Sequence, residues 1–259
     1  MAALPAQRAA RARLVLVHGF TQTRRSWDPL LPDLADHDVV TLDAPGHGWS
    51  SDVEVDLVDG AALLAAGGGR ATYMGYSMGG RLCLHAALDH PGAVRGLVLI
   101  SATGGLDDAG EREARRAADE ALADRIERIG VAAFLDEWLA QPLFAGLGAD
   151  AQGRAERLEN TAAGLASSLR LAGTGTQVPL WDRLRSLEIP TLVIAGALDT
   201  KFVAVAERLA ATIPDADLAI VDGAGHTVHL EQPGAFLDVL HPWLRSHADN
   251  ASPSANSTP

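Results

Sequence analysis

The stretch Arg70-Ala-Thr-Tyr-Met-Gly-Tyr-Ser-Met-Gly-Gly-Arg81 constrains the architecture more than any other part of this chain. A short β-forming run enters Gly75-Tyr76-Ser77-Met78-Gly79, and a helical pattern follows from Arg81 to Leu88. A strand that turns within a few residues into a helix belongs to an α/β layer structure. Gly-x-Ser-x-Gly at that turn is the pattern of a nucleophile elbow. The glycines answer a steric need, because they flank a serine held in a strained turn where a Cβ would strike the adjoining strand or helix. Such a turn exposes the Ser77 Oγ at the C-terminal edge of a sheet, beside a helix N-terminus. The competing reading is an ordinary loop serine.

Short apolar runs recur along the chain between helical patterns, as in a parallel α/β sheet. Strand candidates are Arg13–Val17, Val39–Asp43, Thr72–Gly75, Leu97–Ser101, Thr191–Ala195 and Leu218–Val221. Several are apolar at every position, as expected of strands covered by helices on both faces. Helix candidates include Arg81–Leu88, Val203–Thr212 and Phe236–Ser246. From about Gly104 to Leu187 the pattern is helical throughout, which predicts an all-helical cap inserted between two strands and placed over the strand ends. The expected organisation is a core domain in two parts, 1–103 and 188–247, a helical cap over 104–187, and a polar, disordered tail over 248–259.

The chain has 259 residues, of which 47% are hydrophobic, enough for one large domain with an insertion. No apolar run reaches the ~18 residues that cross a bilayer, and no export signal is read at the N-terminus, so a cytoplasmic protein is expected. Cys83, the only cysteine, cannot form an internal disulfide and is expected in the core. A net charge of −12 argues against a nucleic-acid partner, which needs clustered cations. Lys201 is the only lysine; the other 20 of the 21 basic residues are arginine. Codon bias accounts for that most simply, so only the positions of arginines carry information.

A serine hydroxyl needs an imidazole within hydrogen-bond reach, and the imidazole needs a carboxylate to fix its tautomer. In a doubly wound sheet those partners follow at the ends of later strands, acid before histidine. The run Thr191–Gly196 leads into Ala-Leu-Asp199, and Leu218–Val221 leads into Asp222-Gly-Ala-Gly-His226. Asp199 is therefore the candidate acid, with a helix N-cap as its plain alternative. His226 is the candidate base, and His229 competes with it. Backbone N–H groups for an oxyanion hole are expected at Met78, after the serine, and at Phe20, in the loop His18-Gly-Phe-Thr21. His18 itself is read as structural.

With those residues placed, the motifs His18-Gly-Phe20, Asp43-Ala-Pro-Gly-His-Gly48, Gly75-Tyr-Ser-Met-Gly-Gly80, Gly196-Ala-Leu-Asp199 and Gly225-His226 resemble the α/β-hydrolase fold over about residues 13–246. Features of the cap and core add to this: Ser101-Ala-Thr-Gly-Gly-Leu106, Trp138-Leu-Ala-Gln-Pro-Leu-Phe144, Arg157-Leu-Glu-Asn160, Gly173-Thr-Gly-Thr-Gln177 and Leu-Asp199-Thr-Lys-Phe202. Together they resemble the 2-succinyl-6-hydroxy-2,4-cyclohexadiene-1-carboxylate synthases of menaquinone biosynthesis. The resemblance implies a pyruvate-eliminating lyase with no cofactor and no metal, acting on a small polycarboxylate. It implies substrate-binding roles for Arg81, Arg115 and Arg157, and pocket positions for Tyr76 and Trp138. Arg112, Arg116 and Arg154 compete with the cap arginines. Lys201 is given no chemical role. A monomer is expected.

Chemistry makes its own demand: a polycarboxylate can bind an acidic protein only where arginines converge. A carboxylesterase or C–C hydrolase would use the same triad. A non-catalytic ligand-binding protein of the same fold is the reading from outside enzymology.

Overall fold

The computed structural model describes residues 11–247, so the predicted tail at 248–259 lies outside the described residues. In chain order the elements are β1 (Arg13–Val17), a 3-10 segment (Arg24–Leu34), β2 (Asp38–Leu42), α1 (Leu57–Gly68), β3 (Ala71–Tyr76), α2 (Met78–Asp89) and β4 (Val94–Ile100). Then come α3 (Ala109–Leu139), α4 (Arg154–Arg157), α5 (Ala162–Ala172) and α6 (Trp181–Leu184). The chain closes with β5 (Thr191–Gly196), α7 (Thr200–Thr212), β6 (Ala216–Val221), α8 (Val228–Glu231) and α9 (Pro233–Ser246).

The strands form one parallel sheet in the order β2-β1-β3-β4-β5-β6. After β1 the chain moves one way to β2 and then returns past β1 to β3. The loops that follow β1 and β3 therefore diverge at a switch point, where open parallel sheets leave a crevice beyond the strand ends. Side chains on β1 alternate between two cores. Val15 and Val17 pack with α1, α2 and α7; Leu14 and Leu16 pack with Trp27, Phe236, Leu240 and Trp243 on the other face. This two-sided burial explains why these strands read as continuous apolar runs rather than as alternating ones.

Each strand candidate is present, β1 with the expected ends and the others with one or both ends shifted by one to three residues. Helix α2 begins at Met78 rather than Arg81, because Gly79 and Gly80 weaken the helical pattern without breaking the helix. Helix α1 is absent from the candidates. It starts on Asp56, whose carboxylate accepts the Val58 and Asp59 N–H groups, and ends at Gly69 with φ of 65°.

Between β4 and β5 every described element is helical. Helix α3 is the longest of these and breaks at Gly130, where φ is 78° and ψ 164°. It packs on α5 around a small core of its own, formed by Ala123, Ile126, Phe134, Leu165, Ala166 and Leu169. Among the described residues no helix is long and apolar enough to cross a membrane.

Candidate active site

Ser77 sits between β3 and α2 at φ 51° and ψ −107°, a conformation that costs a non-glycine residue about 1–3 kcal/mol. The surrounding backbone holds it there: the Ser77 N–H donates to the Ile100 carbonyl at 2.8 Å, and the Arg81 N–H donates to the Ser77 carbonyl at 3.2 Å. The structure meets the steric reading of the glycines. A Cβ on Gly75 would lie 2.4 Å from the Gly79 carbonyl oxygen, and one on Gly79 would lie 2.2 Å from that of Val17.

Asp199 and His226 lie just beyond the C-terminal ends of β5 and β6. His226 Nε2 is 3.2 Å from Ser77 Oγ, and its Nδ1 is 2.8 Å from Asp199 Oδ2. Asp199 satisfies both readings of its role with different oxygens, since its Oδ1 accepts the Phe202 N–H and caps α7. Burial by itself would raise the Asp199 carboxyl. The His226 hydrogen bond and charge, the Phe202 N–H and the Lys201 charge outweigh that and hold it below the usual carboxylate range. His229, the competitor, is fully buried, stacked on Trp27 at 4.7 Å and tilted against Tyr76 at 4.8 Å. Burial lowers its pKa to about 3, and neither ring nitrogen has a hydrogen-bond partner among the described residues.

One residue the sequence did not single out anchors the histidine loop. Glu231 accepts the Gly225 N–H at 2.7 Å and the Thr227 N–H at 2.8 Å, straddling His226. Ser101 Oγ adds a bond to the His226 carbonyl at 2.7 Å. An acidic residue a few positions after Gly-His is the only sequence signal for this clamp, and taken alone it is weak.

The loop after β1 supplies the other half of the site. Its Gly19 carbonyl accepts from His18 Nδ1 at 2.8 Å and from the Gln22 N–H at 3.1 Å. Because a trans peptide points its C=O and N–H in opposite directions, holding that carbonyl turns the Phe20 N–H the other way. The Phe20 and Met78 N–H groups donate no hydrogen bond among the described residues. His18 Nε2 accepts the Ala44 N–H at 3.0 Å, which fixes the tautomer, and burial lowers the ring pKa to about 4. The structural reading of His18 therefore fits its placement. His47, quoted in the Asp43–Gly48 motif without a role, accepts the Thr21 N–H at 3.2 Å.

Ser77 and His226 open into a cavity of about 1180 Å³ beneath the inserted helices, which Phe20, Met78, Arg81, Arg115, Trp138 and Lys201 also line. Arg81 is 6% exposed. Its Nη1 donates to the Ala172 carbonyl at 2.8 Å and the Gly173 carbonyl at 3.3 Å, and among the described residues no carboxylate pairs with it. Burial, then the nearby Arg115 charge, lowers its pKa to about 10, with Asp119 opposing; it remains cationic at neutral pH. Arg115 reaches the same cavity but is paired with Asp119 at 2.8 Å. Lys201, left without a role in the sequence reading, lines the cavity as well.

Two expectations need correction. Arg157 does not line this cavity. Its guanidinium is buried and turned toward the back of the β1 loop, where it bonds the Thr21 hydroxyl and the Phe20 carbonyl, while its Nε donates to the Gln152 carbonyl at 2.7 Å. Tyr76 does not line it either. As the last residue of β3 it points to the opposite face of the sheet from its neighbours, and its hydroxyl pairs with Thr227 Oγ1 at 3.0 Å beneath the His226 loop. Adjacency in sequence places Tyr76 near Ser77, and the family resemblance places Arg157 there; only the direction of the side chain separates lining the cavity from supporting it.

A family model described as the alpha/beta hydrolase family matches residues 14–239. A Bacillus subtilis (strain 168) protein provisionally named 2-succinyl-6-hydroxy-2,4-cyclohexadiene-1-carboxylate synthase is 38% identical over 92% of each chain. The Klebsiella pneumoniae (strain MGH 78578) protein named as that synthase is 33% identical over 90% of this chain and 94% of its own length. Among solved structures, MenH from S. aureus superposes with a TM-score of 0.86 at 30% identity, covering 94% of this chain and 97% of the other. A malate-bound esterase from Thermogutta terrifontis reaches 0.76 at 25% identity, covering 92% and 91%.

Proposed function

This chain belongs to the alpha/beta hydrolase family, and we propose that within it the chain forms 2-succinyl-6-hydroxy-2,4-cyclohexadiene-1-carboxylate by eliminating pyruvate from an enolpyruvyl precursor. Membership supplies the serine, acid and histidine but not the reaction, because this scaffold hosts many. The observation that carries the proposal is Arg81: a buried guanidinium, free of any carboxylate partner among the described residues, facing the cavity that holds Ser77. A buried cation without a counter-ion is costly unless a ligand provides one. The substrate's carboxylates do so, with the forked donors of arginine matching their geometry.

In the mechanism, Asp199 holds His226 in the tautomer whose Nε2 accepts the Ser77 proton. Ser77 Oγ then abstracts the proton α to the succinyl ketone. The ketone oxygen gains charge as an enolate, and the Phe20 and Met78 N–H groups donate to it. As the enolate collapses, a ring C=C forms, the bond to the enolpyruvyl oxygen breaks, and the proton passes to the departing enolpyruvate, which tautomerises to pyruvate. No acyl-enzyme is required. Helices α3 to α6 act as a cap that keeps water from this chemistry and brings Arg115 and Trp138 to the substrate. Arg157 supports the Phe20 loop instead of touching substrate, and Tyr76 supports the His226 loop.

The test is direct: the purified protein is given the enolpyruvyl precursor, and pyruvate release is compared with hydrolysis of simple aryl esters. Efficient pyruvate release with poor ester turnover is expected. Ester cleavage without pyruvate would transfer the site to the esterase reading, which the likeness to the Thermogutta esterase supports.

A further inference from the structure

Thr21 is one of three described non-glycine residues with positive φ, at 67°, and it directly follows the proposed oxyanion donor Phe20. Strain of this kind persists only where the surroundings over-determine the backbone. Every polar group of Thr21 is held. Its N–H donates to His47 Nε2, its hydroxyl accepts from Arg157, and its carbonyl accepts from Asn160 Nδ2 at 2.7 Å. Two of those three partners come from the inserted helical segment rather than from the sheet.

Asn160 is 5% exposed, and its amide can be oriented in only one way. Oδ1 accepts the Gly48 N–H at 2.9 Å, while Nδ2 donates to the Thr21 carbonyl and, at 3.0 Å, to the Arg157 carbonyl. A single side chain thus ties the β1 loop to the Asp43–Gly48 loop, the same two loops that His47 ties from the core side.

We infer that Asn160 is a positioning residue of the oxyanion hole, acting from the cap: by holding the Thr21 carbonyl it keeps the strained turn formed and the Phe20 N–H aimed at the enolate oxygen. The inference rests on the proposed roles of Ser77 and Phe20, but not on which reaction the site performs. Asn160 touches no reacting atom. Its removal lets Thr21 relax toward negative φ and rotates the adjoining peptides, which misplaces one donor.

The experiment uses Asn160→Ala and the isosteric Asn160→Asp, which keeps an acceptor for Gly48 N–H but sets an oxygen against the Thr21 carbonyl. Three quantities are measured: pyruvate release, melting temperature, and affinity for phenylboronic acid. Ser77 Oγ adds to the boron of that probe, its proton passing to His226, and a B–O oxygen of the tetrahedral adduct occupies the hole. Loss of one aligned donor lowers kcat by about 10²-fold, leaves KM within about threefold, and weakens boronate binding by a similar factor to kcat. Should truncation unfold the chain, the Asp variant preserves the packing and carries the test. Unchanged kcat and boronate affinity in a folded variant, or a loss confined to KM, overturns the inference. If the wild type releases no pyruvate yet binds boronate, and the variants lose that binding, the synthase reading fails while this one stands.

Discussion

Arg81 and Arg170 have surroundings that differ in kind. Arg170, on α5, is held by Glu120 at 2.7 Å, Asp124 at 2.7 Å and Glu127 at 2.9 Å, and the bonds to Glu127 and Glu120 raise its pKa. Arg81, on α2, has two backbone carbonyls and, among the described residues, no carboxylate within ion-pair distance, and burial lowers its pKa to about 10. In a chain of net charge −12, arginines on the surface find carboxylates readily. Arg116 does so with Glu113, Arg125 with Glu137 and Arg154 with Asp136. Arg81 finds none and lines the cavity beside Ser77, where the proposed function gives it the substrate's carboxylates as partners. Positive charge at the surface supports the helices; the same charge withheld from partners beneath them is what the proposed binding role draws on.

The sharpest way to break this comparison is to remove the chemistry while leaving the charges. Ser77→Ala should lower pyruvate release by about 10⁴-fold or more, with little change in melting temperature, as read by a coupled pyruvate assay. Retained turnover would discard the elbow as the site. Next is the backbone beneath it. Gly79→Ala places a Cβ 2.2 Å from the Val17 carbonyl oxygen, and denaturant unfolding should register a loss of about 3 kcal/mol. A near-native midpoint would mean that the close approach can be relieved.

Third comes the comparison itself. Charge-assisted hydrogen bonds contribute about 1.5–3 kcal/mol, so Arg81→Met should cost roughly 10- to 100-fold in kcat/KM, whereas Arg170→Met should leave kcat/KM unaltered. Equal effects from the two would remove Arg81 from substrate binding. Glu231→Gln keeps the size of the side chain but can accept only one of the Gly225 and Thr227 N–H groups well. A loss of about tenfold in kcat is expected, and full activity would show that the His226 loop is held without it.

The smallest expected effect concerns pH. His229 has its pKa lowered to about 3 from 6.5, so between those values the unfolded chain binds a proton that the folded chain excludes. Its stabilising contribution is complete above 6.5 and is lost as pH falls toward 3. His18 and His47, lowered to about 4 and about 3, add to the same slope. His229→Phe should flatten, in part, the fall of melting temperature with acid, without shifting the pH profile of kcat. A shifted kcat profile would give His229 a part in catalysis that its burial argues against.

Much of the site was legible because its constraints are local or ordered along the chain. The elbow needs glycines at fixed spacing, and Asp199 and His226 follow strands in a set order. Gly75, Ser77, Gly79, Asp199 and His226 therefore carry their positions in the sequence itself. Helix α1 escaped notice because its alanine- and glycine-rich segment has little amphipathic contrast, although Asp56 marks its start. Arg157 and Tyr76 were placed near the site correctly but on the wrong side of it. A motif specifies where a residue lies along the chain, and the direction of its side chain depends on what packs against it.

By itself, then, the sequence determined the parallel α/β layering, the strained serine turn and the triad. Each of these arises from steric limits and hydrophobic periodicity acting over a few residues. Only the tertiary structure decided which charges stay unpaired, what buries His229, and that Arg157 and Asn160 hold the Phe20 loop from outside the sheet. Pairing, burial and side-chain direction are properties of neighbours in space, 139 residues apart along the chain for Thr21 and Asn160 and 151 for Tyr76 and Thr227, and no local pattern encodes them.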